Sequence, residues 1–157
     1  MNWHELFYIE NDVLYNKVNR GCARAGDVAG GMCGNGYIYV SVDNESHLVH
    51  RIIYEMRHGK IPDGMQVDHI DHDKTNNADS NHRLVTHKQN GRNLPKKSSN
   101  TSGVTGVCWD KRREKWLAYI NIDGKHKHLG YFASMDGAIE ARKTAEIEFA
   151  FHSNHGK

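Results

Sequence analysis

Val67-Asp68-His69-Ile70-Asp71 sets a carboxylate beside an imidazole at the end of a short apolar run, and asparagines follow at Asn76, Asn77, Asn81 and Asn90. An oxygen ligand next to a potential general base, with amides downstream, is what metal-dependent phosphodiester cleavage requires. Neighbours on a strand point to opposite sides, so Asp68 and His69 flank one phosphate only if the loop or a twist reorients one of them. Asp68 and Asn90 offer a carboxylate and an amide oxygen. Such hard donors suit Mg²⁺ or Mn²⁺ and suit zinc poorly. Neutral His69 would take the proton from an attacking water. Its other ring nitrogen needs an acceptor, which a loop carbonyl or the Asn81 side chain could supply. An isolated Asp-His pair is usually an ordinary turn; the downstream asparagines give this one partners.

The elements that must position these groups are short. Residues 7–48 read as brief strands broken by glycines, with Gly36 to Val42 strand-like and Asp43-Asn44 a turn. His50 to Arg57 reads as a helix with Ile52, Ile53 and Met56 on one face, ended by Gly59 and Pro62. Met65 to Asp68 is a strand, His72 to Ser80 a polar loop, and Arg83-Leu84-Val85 a second strand. Thr86 with Gln89 forms a capping box for a helix over residues 87–93. Residues 95–102, rich in Lys, Ser and Asn, read as a linker. Three strands follow, Val104–Asp110, Trp116–Ile122 and His126–Phe132, with Asp123-Gly124 as a two-residue turn. Ser134 caps a last helix in which Ala138, Ala141, Ala145 and Phe149 recur at helical spacing.

A mean hydropathy of −0.76 limits the cores to small ones. No apolar run approaches the roughly 20 residues of a membrane span. Met1-Asn2-Trp3-His4-Glu5 has no basic stretch leading into an apolar one, so no secretory signal is expected. Cys22, Cys33 and Cys108 form no CxxC pair, which argues against a zinc ribbon or a disulfide framework. A reduced, cytoplasmic protein is the default expectation. The net charge is only +2, yet residues 83–131 carry 11 Lys/Arg against 3 Asp/Glu. This asymmetry is the footprint of a polyanion binder, although a solvated basic face has the same look.

His50-Arg51, Val67-Asp68-His69-Ile70-Asp71, Asn76-Asn77, Asn81 and Arg83-Leu84-Val85-Thr86 occur in the order of a known pattern. The stretch resembles the HNH nucleases, in the His-Asn-Asn version found in phage and intron homing endonucleases. That resemblance implies Asp68 and Asn90 as metal ligands, His69 as general base, and Asn81 as the residue that pins the loop and orients His69. It also implies Mg²⁺ as cofactor, or Mn²⁺. Two positions depart from the pattern. His72 stands where Gly is common, and His82 where Leu is usual. A histidine at that apolar position must find a hydrogen-bond partner.

Asn100 to Asp110, Lys115 to Ile120 and His128 to Phe132, with the Ala-rich helix, are similar to the plant ethylene-response-factor DNA-binding domain. The two resemblances imply an α+β chain. A β-rich region at 1–48 precedes a ββα-metal nuclease core at 49–94. After the linker, residues 103–157 form a three-stranded antiparallel sheet packed on one helix. Duplex DNA is the expected partner, with no membrane and no small-molecule substrate, for a monomer or a homodimer. Arg51, Arg83, Lys88, Arg92, Lys96 and Lys97 are candidate DNA contacts in the core and linker. Lys111, Arg112, Arg113, Lys115, Lys125 and Lys127 are candidates on the sheet. Trp109, Trp116, Tyr119 and Asn121 would lie nearer the bases, with core packing the rival role for the aromatics. The expected function is a metal-dependent homing-type DNA endonuclease. The rival readings are a DNA-binding protein with a decayed nuclease core, an RNA-directed protein, and a structural zinc held by the histidines.

Overall fold

Pairs of residues with positive φ set the hairpins of this chain. In the computed structural model, which describes residues 1–91, 96, 100–153 and 155–156, three two-residue turns have both residues at positive φ. They are Asn11-Asp12 (49°, 62°), Asp43-Asn44 (50°, 64°) and Asp123-Gly124 (53°, 75°). This is the turn that matches the right-handed twist of paired strands, and Asn, Asp and Gly tolerate it best. The chain divides into two compact units, Met1–His87 and Lys88–Lys157.

The first unit opens with a single helical turn, α1 (Trp3–Leu6), that leads into the hairpin β1 (Phe7–Glu10) and β2 (Val13–Asn16). Strands β3 (Gly31–Met32), β4 (Ile38–Val42) and β5 (Glu45–Leu48) make a three-stranded antiparallel sheet with β4 in the centre. Helix α2 (Val49–His58) follows at once. It buries Val49, Ile52 and Ile53 against Phe7, Leu14, Ala29, Val40 and Val42. Each fully buried aliphatic or aromatic side chain contributes about 1.5–3 kcal/mol. This core draws residues from both sides of residue 48, so the N-terminal strands and α2 share one buried cluster. Trp3 Nε1 donates to Glu55 Oε2 at 2.6 Å and fastens α1 to α2. Strands β6 (Met65–His69) and β7 (His82–Thr86) form an antiparallel pair joined by a polar loop, which closes on a 3₁₀ turn at Asp79–Asn81.

Helix α3 (His87–Asn90) is a single turn at the junction of the units. In the second unit, β8 (Val107–Asp110), β9 (Lys115–Ile122) and β10 (Lys125–Phe132) form the expected antiparallel sheet with β9 central. Helix α4 (Met135–Glu148) packs on it, capped by Ser134 Oγ accepting from the Gly137 N–H at 3.2 Å. Val107, Ala118 and Ala138 form the core. Arg142, absent from the expected helix face, is buried there because its Nη1 donates to the Tyr119 carbonyl at 2.8 Å and its Nε to Glu146 at 2.9 Å.

Candidate active site

The register of β6 and β7 sets the geometry. Asp68 stands opposite Arg83 and His69 opposite His82. Cross-strand partners share a face and strand neighbours do not. Asp68 therefore turns to the Arg83 side, where its Oδ2 accepts from Arg83 Nε at 3.0 Å and Nη2 at 2.8 Å. His69 turns to the opposite side, towards α2.

On that side three imidazoles meet. The His69 ring lies 4.8 Å from His50 of α2 and 5.0 Å from His82, both edge-on, and His50 and His82 are 6.2 Å apart. Tyr37, just before β4, adds a ring 5.3 Å from His50 and 6.2 Å from His69. His69 is 4% exposed, His50 5% and His82 8%. Burial pushes the pKa of His50 down to about 3 and that of His82 to about 4, and neighbouring positive charge adds to the shift. Burial lowers His69 as well, against the opposing pull of the Asn77 side chain and the charges of Asp71, Asp68 and Asp73. All three rings are thus neutral near pH 7, and His69 is in the form that accepts a proton. The expectation that His82 finds a hydrogen-bond partner is not met, since neither of its ring nitrogens has one. Its environment is the faces and edges of other rings.

The loop between the strands is pinned by Asn81. Its Nδ2 donates to Asp71 Oδ1 at 2.9 Å and to the Asn76 carbonyl at 2.8 Å, and its Oδ1 accepts from the Asp71 N–H at 3.1 Å. Asn76 Nδ2 completes the knot on Asp71 Oδ2 at 2.7 Å. Burial alone would raise the Asp71 pKa, but the hydrogen bonds from Asn76, Asn81 and the Asp73 N–H outweigh it and hold the carboxyl below its ordinary value. Asn81 therefore spends its amide on the loop. The amide that faces His69 belongs to Asn77. It draws the imidazole pKa upward, yet its Oδ1 closes no bond of good geometry. Arg57 ties α2 to the loop, donating to the Asn77 carbonyl at 3.3 Å and to Asp12 at 2.6 Å.

Asn90 ends α3 and belongs to the second unit. Among the described residues no three His, Cys, Asp or Glu side chains come together as a metal cage. Taken each by itself, the carboxylate of Asp68 and the amide oxygen of Asn90 are donors of the kind that suits a hard cation and not a structural zinc.

The expected DNA contacts are spread over both units. Arg51 is exposed on α2, and Arg83 holds Asp68. Lys88 pairs with Asp123 at 2.6 Å, and Lys96 reaches the Gly103 carbonyl at 3.4 Å. Arg92 and Lys97 lie outside the described residues. Lys111, Arg112, Lys115, Lys125 and Lys127 are exposed; Lys127 lies 4.4 Å above the Phe149 ring. Arg113 stacks 4.6 Å above Tyr131 and bonds Asp110. Trp116 packs against the core with Val107 and Ala118, so it faces α4. Trp109, its cross-strand partner, touches it edge-on but remains 45% exposed. Tyr119 and Asn121 alternate with buried Ala118 and Ile120 and so point to the face away from α4. Tyr119 stacks there on His126 at 4.4 Å.

Sequence reasoning missed Tyr37, and it gave no role to Asn77 or to His50 and His82 as neighbours of His69. The order of motifs carried a signal only for His50, as a member of the His50-Arg51 pair.

The profile of the family described as HNH endonuclease matches residues 47–92. The chain is 41% identical over 80 residues to Protein 3.8 of Escherichia phage T7, covering 51% of this chain and 66% of that protein. It is 50% identical over 69 residues to an uncharacterized HNH endonuclease of Acanthamoeba polyphaga mimivirus, covering 43% of this chain and 36% of that one. The chain thus spans just under two thirds of the first relative and about a third of the second. No solved structure matches at a significant level. Residues 47–92, with Asp68 and His69 on β6 and Asn81 closing the 3₁₀ turn before β7, are thus similar to the HNH endonuclease family.

Proposed function

We propose that this chain is a metal-dependent DNA endonuclease of homing type. The observation that carries the reading is the placement of His69: it is neutral, walled by rings, and one residue from Asp68 in the stretch similar to the HNH endonuclease family. His69 takes the proton of the attacking water. The water oxygen bonds to phosphorus as the P–O3′ bond breaks, leaving a 5′-phosphate and a 3′-hydroxyl. Asp68 and Asn90 would hold Mg²⁺, with Mn²⁺ as the substitute. A bound ion of this kind offsets charge on the phosphate and on the departing oxygen. Arg83 holds Asp68 in one orientation from the partner strand. The sheet of the second unit would bring the duplex, a role that rests on the sequence resemblance to the ethylene-response-factor domain alone. Its Lys111, Arg112 and Arg113 turn meets phosphates, and Tyr119 and Asn121 lie nearer the bases. One centre per chain makes nicking natural for a monomer, whereas cutting both strands takes a homodimer or two events.

A second reading, a DNA-binding protein with an inactive nuclease core, draws on the 4% exposure of His69. Nicking of supercoiled plasmid in Mg²⁺ separates the two. The nuclease reading expects cleavage by the wild type and its loss in His69→Ala. Equal cleavage by both sinks the assignment of the base, and no cleavage by the wild type favours the binding protein.

A further inference from the structure

The turn between β3 and β4 reaches the same centre. Cys33 N–H donates to the Tyr37 carbonyl at 2.8 Å, and Asn35 Oδ1 accepts from the Tyr37 N–H at 3.1 Å, so the five residues 33–37 form a closed turn. Gly36 has φ +81°, and a Cβ there would sit 3.5 Å from Lys74 Cδ, so the turn and the nuclease loop lie in contact. Lys74 comes from the loop that Asn81 pins. Its Nζ donates to the Asn35 carbonyl at 2.7 Å and stands 4.4 Å above the Tyr37 ring, which lies 5.3 Å from the His50 ring and 6.2 Å from that of His69. Both of these partners are neutral, a carbonyl and a ring, so among the described residues neither offsets the charge of Lys74. Two anchors also fix a side chain that would otherwise lose rotamer entropy on meeting a ligand. Through Tyr37, the ammonium lies within about 11 Å of the His69 ring. Phosphates of one DNA strand follow one another at about 3.4 Å of axial rise and are further apart through space, so this reach covers the scissile phosphate or an adjacent one.

We propose that Lys74, held over Tyr37 by the 33–37 turn, is a phosphate-binding residue of the nuclease centre, gripping the DNA backbone at or beside the bond that His69 attacks. This rests on the nuclease reading of His69. It gives the N-terminal strands a part in the centre, since the turn they support sets the position of the cation. Three donors serve an ammonium, one goes to Asn35, and the others remain for phosphate oxygens.

The test uses the full chain with a 30-base-pair duplex of random sequence for binding and a supercoiled plasmid for nicking. Lys74→Met keeps the stem and removes the charge. It is expected to lower the slope of log K against log salt by about 0.9, the share of one phosphate contact. It is also expected to slow nicking at saturating DNA by tenfold or more, with the thermal midpoint unchanged. Lys74→Arg restores the slope. A wild-type slope in Lys74→Met overturns the proposal, and so does a slope that Lys74→Arg leaves low. If the wild type does not nick plasmid, the nuclease reading falls by itself. The salt slope then still decides the phosphate contact: a loss of about 0.9 upholds it, and an unchanged slope overturns it.

Discussion

His82→Leu should stabilise the first unit, and increasingly so in acid. His82 is 8% exposed with neither ring nitrogen bonded. A buried polar group without a partner costs about 1–3 kcal/mol, and leucine is close to histidine in volume. At pH 7.5 the variant should therefore gain on the order of 1 kcal/mol or more. For a unit of this size, Met1–His87, that is a rise in midpoint of about 4–8 °C per kcal/mol. Acid enlarges the gain. The His82 pKa drops from 6.5 to about 4 on folding, because burial, His69 and Arg57 disfavour the cation more than Asp79 and Asp12 favour it. Above pH 6.5 the ring is neutral folded and unfolded, and proton binding contributes nothing. Below it the unfolded chain binds a proton that the folded chain refuses until pH 4. The wild type then loses up to about 1.4 kcal/mol per pH unit, or about 3 kcal/mol in all, from this group. His50 and His69 belong to the same cluster and titrate with it, so the wild-type loss is a property of the set. Urea unfolding of both proteins from pH 7.5 to 4.5 measures the difference. It should be constant above pH 6.5 and widen below. Parallel curves, or a lower midpoint for His82→Leu at pH 7.5, would refute the reasoning.

Asn81→Ala removes three hydrogen bonds around Asp71 and Asn76 and should cost about 2–4 kcal/mol; an unchanged urea midpoint would show that the loop does not depend on it. Gly106→Ala puts a Cβ 2.4 Å from the Tyr119 carbonyl and 2.9 Å from Arg142 Nη1, at φ +79°. Strain and overpacking together predict a loss of about 2–5 kcal/mol, read from thermal unfolding of the second unit. Ending the chain after residue 94 removes most of the basic residues between 83 and 131 and should weaken DNA binding and flatten its salt dependence. Unchanged affinity would show that the second unit does not hold the duplex.

Much of the framework was legible in the residues. The alternation that sends Asp68 and His69 to opposite faces follows from strand geometry alone, and the register opposite Arg83 and His82 agrees with it. The Asp123-Gly124 turn and the Ser134 cap were legible because their signals lie within two to four residues of the structure they make. The role of Asn81 as the pin of the loop came from the family resemblance and not from a local signal, and its partners lie five and ten residues away. The aromatics of the sheet were legible only as a pattern. Strand parity showed that some must face the helix, but the core of Val107, Ala118 and Ala138 decided that Trp116 does.

Sequence by itself determined the short strands, the turns, the α+β class and the order of the nuclease motif, since each is written in local periodicity or conformational preference. Only tertiary structure decided what surrounds His69. Tyr37, His50, His69 and His82 come from four separate stretches of the chain, and no local rule brings them together. They meet because α2 buries Val49, Ile52 and Ile53 against the N-terminal strands, while the β6–β7 register turns His69 and His82 to the side where His50 lies. The same packing sets Lys74 over Tyr37, in contact with a turn 39 residues away in the chain. Burial and its consequences for charge belong to the assembled core, so the neutral histidine cluster became visible only with the fold.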